Sequence, residues 1–142
     1  RERHGLMVGE RITEELKVNV GTAIQAPRPR STRIRGRDMN SAVPRETEIL
    51  STDLLAAVQP ALSSIVEGIR QMMNRLSPDL AGDLSQQGVV LSGGAALLRG
   101  MEAFLRQQTG TPMVLSQDPQ RATVTGAGWL LEERTHLERV LL

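Results

Sequence analysis

Between positions 52 and 76 apolar residues recur in steps of three and four, and this run constrains the fold more than any other feature. Leu55, Val58, Leu62, Ile65, Ile69, Met72 and Leu76 fall on one face of a long helix. A stripe of that kind has to be buried against another layer. Ser51, Thr52 and Asp53 stand before it as N-cap candidates. Pro60 lies inside the run and predicts a kink or a new helix start. Ser77-Pro78 predicts the end.

The flanking segments carry other periods. Residues 9–20 favour a helix, with Ile12, Leu16 and Val20 on one stripe and Gly21 as a stop signal. Short extended stretches are expected near 21–26, 31–37 and 44–50, punctuated by Pro27, Pro29, Gly36 and Pro44. In the middle stretch Thr32, Arg33, Ile34 and Arg35 alternate as on a half-exposed strand, so a small antiparallel meander accounts for them. The last third alternates strand and helix. Val89-Val90-Leu91 reads as a buried strand, 96–108 as a helix closed by Gly110, and Pro112–Leu115 as a second strand. Asp118-Pro119 reads as the opening of a final helix. That order implies parallel pairing with helices on the faces. The fold class is therefore α/β, with a helix-plus-meander lobe over residues 1–50 and an α/β lobe over 51–142. No internal repeat interrupts it.

Composition excludes several functions. Only Phe104 and Trp129 are aromatic, so the core is aliphatic and base stacking by aromatic side chains has almost nothing to use. With 17 basic and 16 acidic residues there is no excess charge for a phosphate backbone, and no nucleic-acid partner is expected. The chain has no cysteine, which excludes disulfides and thiolate zinc sites. His4 and His136 are far apart and no metal site is expected around them. No apolar run reaches the roughly 20 residues that span a bilayer, and no signal peptide is visible, so a soluble, intracellular chain is expected. It does not begin with Met and opens in a charged, helix-like pattern, as a piece of a longer protein would.

Four places could carry chemistry. In Val89–Gly100 a buried strand runs into Gly93-Gly94 and then a helix. Glycine there lets a ligand lie against the backbone, and ligands of open α/β sheets gather at strand carboxyl ends. A ligand-free tight turn has the same pattern. The glycines at 93, 94 and 100 match neither the dinucleotide fingerprint nor a P-loop, so a purine or sugar suits the turn better than phosphate. Glu14 and Lys17 share a helix face, where Glu can accept from ribose hydroxyls and Lys can donate. A solvated salt bridge is the alternative. Gly126 and Gly128 in the final helix let another backbone pack closely. Arg28, Arg30, Arg33, Arg35 and Arg37 suit either an anionic partner or a solvated, charge-protected edge strand. No Ser/His/Asp or Cys/His set is present.

Taken in order, the E-x-x-K helix, the run V-L-S-G-G-A-A-L-L-R-G, and D-P followed by G-x-G resemble the second half of the MreB-type bacterial actin-like proteins. These belong to the actin and heat-shock-chaperone ATPase superfamily. Gly36-Arg37-Asp38 followed by Val43-Pro44 resembles the same family's short lobe. The likeness runs over roughly residues 5–133.

The resemblance implies an actin-like ATPase fold, second half only, and a function in filaments that set cell shape by organising cell-wall synthesis. It implies ATP as cofactor, with adenosine contacts at Glu14, Glu15, Leu16, Lys17, Gly93, Gly94, Ala95 and Ala96. The phosphate loops, the magnesium ligands, the hydrolytic residue and the membrane-binding segment of the family lie upstream of this stretch. Implied partners are further copies of the chain and cell-wall elongation proteins, in the cytoplasm and on the membrane as filaments. The sequence departs from the family where Ser92-Gly93-Gly94-Ala95 stands for T-G-G-G, and at Thr123, Thr125 and Trp129. Ala95 fits a nucleotide only with a helical backbone. Alternatives are a chaperone-type or sugar-kinase-type ATPase of the same superfamily, or a small binding module without nucleotide.

Overall fold

A computed structural model describes residues 1–132, so His136 and the last ten positions of the expected α/β lobe lie outside the described residues. The chain runs β1 (Leu6–Met7), α1 (Glu10–Val20), β2 (Ser31–Asp38), β3 (Pro44–Leu50), α2 (Ser51–Met73) and α3 (Pro78–Gln87). It continues with β4 (Val89–Leu91), a 3-10 turn (Gly94–Leu97), α4 (Met101–Thr109), β5 (Met113–Leu115) and α5 (Ala122–Glu132). β1, β2 and β3 form an antiparallel sheet in that order, and β4 and β5 form a parallel pair.

The antiparallel meander exists, but its third strand is β1. The stretch expected at 21–26 is a bend that makes a single parallel bridge, Thr22 to Arg99. On β2, Thr32 and Ile34 turn inward and Arg33, Arg35 and Arg37 outward, as alternation requires. Leu16 and Val20 from α1 are buried with Ile49, and Ile12, Ile34 and Leu54 pack around them.

α2 runs through Pro60 without a break. Pro60 is on the exposed side, where water can satisfy the carbonyl deprived of its helical partner. The buried line along α2 is Leu62 and Val66, with Leu55, Val58 and Ile69 beside them. Ile65 and Met72, expected inside, are 41% and 63% exposed. Val66 takes the inward place because the core follows a 3.6-residue turn rather than the step from Leu62 to Ile65. The cap is also not one of the three candidates. Leu50 occupies it, and its N–H donates to the Asp53 carboxylate at 3.1 Å. α2 ends at Met73, four residues before the expected Ser77-Pro78, which instead starts α3, with the Ser77 hydroxyl accepting from Leu80 N–H at 3.4 Å and Pro78 in the first turn.

The helix expected over 96–108 is shorter. Residues 94–97 make a 3-10 turn, Leu98 is extended, and α4 begins at Met101 after a left-handed Gly100. Leu98–Arg99 has to stay extended because Arg99 pairs with the segment after α1: its carbonyl accepts from Ala23 N–H at 2.8 Å and from the Thr22 hydroxyl at 3.4 Å. Ala23 then joins Leu62, Val66, Met101, Phe104, Leu105 and Met113 in the second core cluster. Asp118-Pro119 opens a turn rather than a helix, since the Asp118 carboxylate accepts from Arg121 N–H at 3.2 Å. α5 follows from Ala122. The close packing expected at Gly126 and Gly128 does not occur: a Cβ at either would meet nothing within 4 Å among the described residues. α5 buries no residue, and Val124, Trp129 and Leu131 are 67%, 70% and 74% exposed.

Two expected outcomes test this packing. Gly100 has φ +75°, and a Cβ there would lie 2.5 Å from Ile24 Cγ1. Gly100→Ala is therefore expected to lower unfolding stability by about 2–4 kcal/mol, read by urea denaturation. At the β2–β3 hairpin the Asp38 carboxylate accepts from Ser41 N–H and Asn40 N–H, both at 2.9 Å, and pairs with Arg45 at 3.1 Å. These contacts, the Ser41 amide first, hold its pKa below the usual carboxylate value. A depressed folded-state pKa gives stability that is present above the unfolded value of about 4 and lost as pH falls through the folded one. Thermal melts from pH 5 down to pH 2.5 should therefore fall less steeply for Asp38→Asn than for wild type.

Candidate functional site

Two parallel strands end side by side, with Leu91 opposite Leu115. Beyond them lie the turn Ser92–Leu97 and the loop Ser116–Arg121. Hydrogen bonds hold the loop against the turn: Ser116 N–H donates to Leu91 C=O at 3.0 Å, and Gly93 N–H donates to Pro119 C=O at 2.6 Å. Gly93 has φ +83°, a conformation that glycine adopts without strain. Nothing approaches within 4 Å of a Cβ placed on Gly93, so its backbone is open. Gly94 and Ala95 are exposed as well, and Ala96 is half-buried. Ala95 lies in the 3-10 turn without positive φ, which is the backbone its methyl group requires. The helix N-terminus expected at this turn lies instead at Met101, so the free amides here belong to the 3-10 turn.

The E-x-x-K residues sit on α1. Glu14 and Lys17 pair with each other at 2.7 Å, with side chains 61% and 55% exposed. Such a pair contributes only a few tenths of a kcal/mol, so both groups remain available to a ligand. Glu15 points elsewhere and accepts from Arg11 at 2.8 Å. Leu16 is a core residue, 7% exposed, and offers a ligand only its backbone.

Just past the C-terminal end of α1, Gly21 and Thr22 meet Leu98 and Arg99, the residues that follow the glycine turn. Gly21 N–H donates to Lys17 C=O at 3.0 Å, closing the helix one turn after Lys17. Gly21 has negative φ, so glycine is needed there for space: a Cβ would collide with the Lys17 carbonyl and sit 3.0 Å from Leu98 Cδ1. Leu98 follows the 3-10 turn directly. The segments that follow the two motifs thus meet, Gly21 and Thr22 against Leu98 and Arg99. A shallow groove is lined by residues 96–103 and Leu115, and includes neither α1 nor Gly93 and Gly94.

Sequence reasoning missed Thr22 and Gln120. Thr22 is 3% exposed and spends its hydroxyl on Ile24 C=O at 2.7 Å, which fixes the bend after α1. Gln120 Nε2 lies 3.8 Å from a Cβ placed on Gly94, which brings it to the glycine turn. Nothing in the spacing of the sequence pointed to either residue.

Known proteins are similar to this chain in sequence and in fold. The cell shape-determining protein MreB of Escherichia coli strain K12 is 36% identical over 132 residues, covering 93% of this chain and 38% of that protein. The cell shape-determining protein Mbl of Bacillus subtilis strain 168 is 30% identical over 139 residues, covering 98% and 42%. The chain therefore spans about two fifths of the length of these relatives. Among solved structures, MreB5 of Spiroplasma citri bound to AMPPNP superposes with a TM-score of 0.88 at 25% identity, over 99% of this chain and 41% of that one. The actin-like fold extends to a MamK double helical filament, with a TM-score of 0.77 at 20% identity. The family model for MreB/Mbl protein matches residues 1–139, and the chain belongs to the MreB/Mbl family of actin-like proteins.

Proposed function

We propose that this chain supplies the adenosine-gripping side of an ATP cleft in a filament-forming protein that determines cell shape. The observation that carries the reading is the join of α1's last turn to the segment after Gly93-Gly94, at the carboxyl ends of two parallel strands. In this reading Glu14 accepts from the ribose hydroxyls and Lys17 donates to the sugar or base. Glu15 and Leu16 lie between them on α1. The exposed backbone of Gly93, Gly94, Ala95 and Ala96 forms the floor under the purine. The solved MreB5 structures bound to AMPPNP and to ADP support a nucleotide as the ligand.

Phosphate and magnesium binding, and hydrolysis, fall to the part of the family's length that this chain does not span. A division into a small lobe at 1–50 and an α/β lobe at 51–142 fits the two separate sheets. The bare apolar surface of α5 and of Val90 and Val114, 66% and 48% exposed, is where the remainder of a longer polypeptide would pack. Head-to-tail contacts between copies that do not close into a ring would give filaments, and the similar MamK chain forms a double helical filament. Cytoplasmic filaments on the membrane, working with cell-wall elongation proteins, complete the reading. None of the described helices is long and apolar enough to cross a membrane, so membrane attachment would fall to segments upstream.

Titration with a fluorescent ATP analogue tests the site. A Cβ at Gly94 would meet only Gln120 Nε2 at 3.8 Å, so Gly94→Val should fold normally and fill the ligand's space. It is expected to abolish binding, and Glu14→Ala to weaken binding about tenfold through loss of charge-assisted hydrogen bonds. Unchanged affinity in both variants would overturn this site, and no binding by the wild type would leave a binding module without nucleotide.

A further inference from the structure

The nucleotide reading leaves the side chain nearest the opening over Gly94 without a task. We propose that Gln120 is a specificity-determining residue, its carboxamide hydrogen-bonding the 6-amino edge of the purine seated over Gly93 and Gly94. This inference rests on the nucleotide reading and adds the group that recognises the base.

The position of Gln120 is fixed from both sides. Before it, Pro119 is buried and its carbonyl accepts from Gly93 N–H at 2.6 Å. After it, Arg121 N–H donates to the Asp118 carbonyl and carboxylate, each at 3.2 Å. The backbone on either side of Gln120 is thus tied to the glycine turn or closed on itself. The side chain is exposed, and among the described residues its carboxamide makes no hydrogen bond. It lies 3.8 Å from a Cβ placed on Gly94, while the space over Gly93 is open.

The chemistry suits a base better than a phosphate. A carboxamide is neutral and carries both donor and acceptor. Adenine presents the complement: an exocyclic amine that donates and ring nitrogens that accept. One Gln can engage both. A phosphate would call for a cation or a cluster of free amides, and Arg121 beside Gln120 is drawn toward Asp118, at 3.9 Å.

The test compares ATP with purine riboside triphosphate, which lacks the 6-amino group, by competition against a fluorescent ATP analogue on the full chain. Wild type is expected to prefer ATP about 5- to 10-fold, the scale of one neutral hydrogen bond. Gln120→Ala should weaken ATP by that factor, leave the other nucleotide within about 2-fold, and bring the ratio near one. An unchanged thermal melt would show that the variant is folded. Equal weakening of both nucleotides would overturn the proposal, because it would mean that Gln120 only holds the loop. Unchanged ATP affinity in Gln120→Ala, with binding abolished in Gly94→Val, would overturn it and leave the site standing. Unaltered binding in both variants would remove the site together with the proposal.

Discussion

The short backbone pairing of Thr22 and Ala23 with Arg99 is the contact on which the rest of the structure depends. It holds Leu98 and Arg99 extended where the sequence favours helix, and so delays α4 to Met101. It also draws Ala23 and Ile24 out of the antiparallel part of the chain and into the core around Leu62 and Phe104. Glycines permit it at two points. Gly21 lets the end of α1 come against Leu98, and Gly100 turns the chain past Ile24. Both are close approaches that a Cβ would block. Without the pairing, α1 and the glycine turn would belong to separate pieces of structure.

What the chain leaves unburied is as informative as what it buries. Parallel strands are ordinarily covered on both faces, yet Val90 and Val114 stand paired and exposed on one face of β4 and β5. α5 is mostly apolar, and none of its residues is fully buried among the described residues. A chain that spans about two fifths of its relatives' length has this surface where more of the fold belongs. Trp129, one of the departures from the family pattern, is exposed on that surface.

Much of this could be read from the sequence, and the failures share a cause. Elements set by local rules came out close to expectation: α1 from its four-residue stripe, β2 and β3 from alternation and proline, β4 and β5 from short apolar runs, although β4, expected to be buried, has no buried residue. Errors arose where distant contacts overrode local preference. Residues 96–99 are good helix formers, but the bridge to Thr22 holds Leu98 and Arg99 extended. Asp118-Pro119 has the form of a helix start, but Pro119 is held by Gly93 N–H and Asp118 closes a turn. The stretch 21–26 lost its place in the meander to Leu6–Met7, a two-residue strand with too little pattern to notice. In the site, the glycines and the Glu14–Lys17 spacing were legible because each has a local signature. Gln120 was not, since only the fold of the loop after β5 brings it to Gly94.

The central claim is that the end of α1 and the glycine turn act on one bound nucleotide. Backbone amide shifts followed by NMR during an ATP titration test it most directly. The account predicts that Glu14–Lys17 and Gly93–Ala96 move together and yield one shared dissociation constant. Movement at only one of the two segments, or two different midpoints, would contradict it.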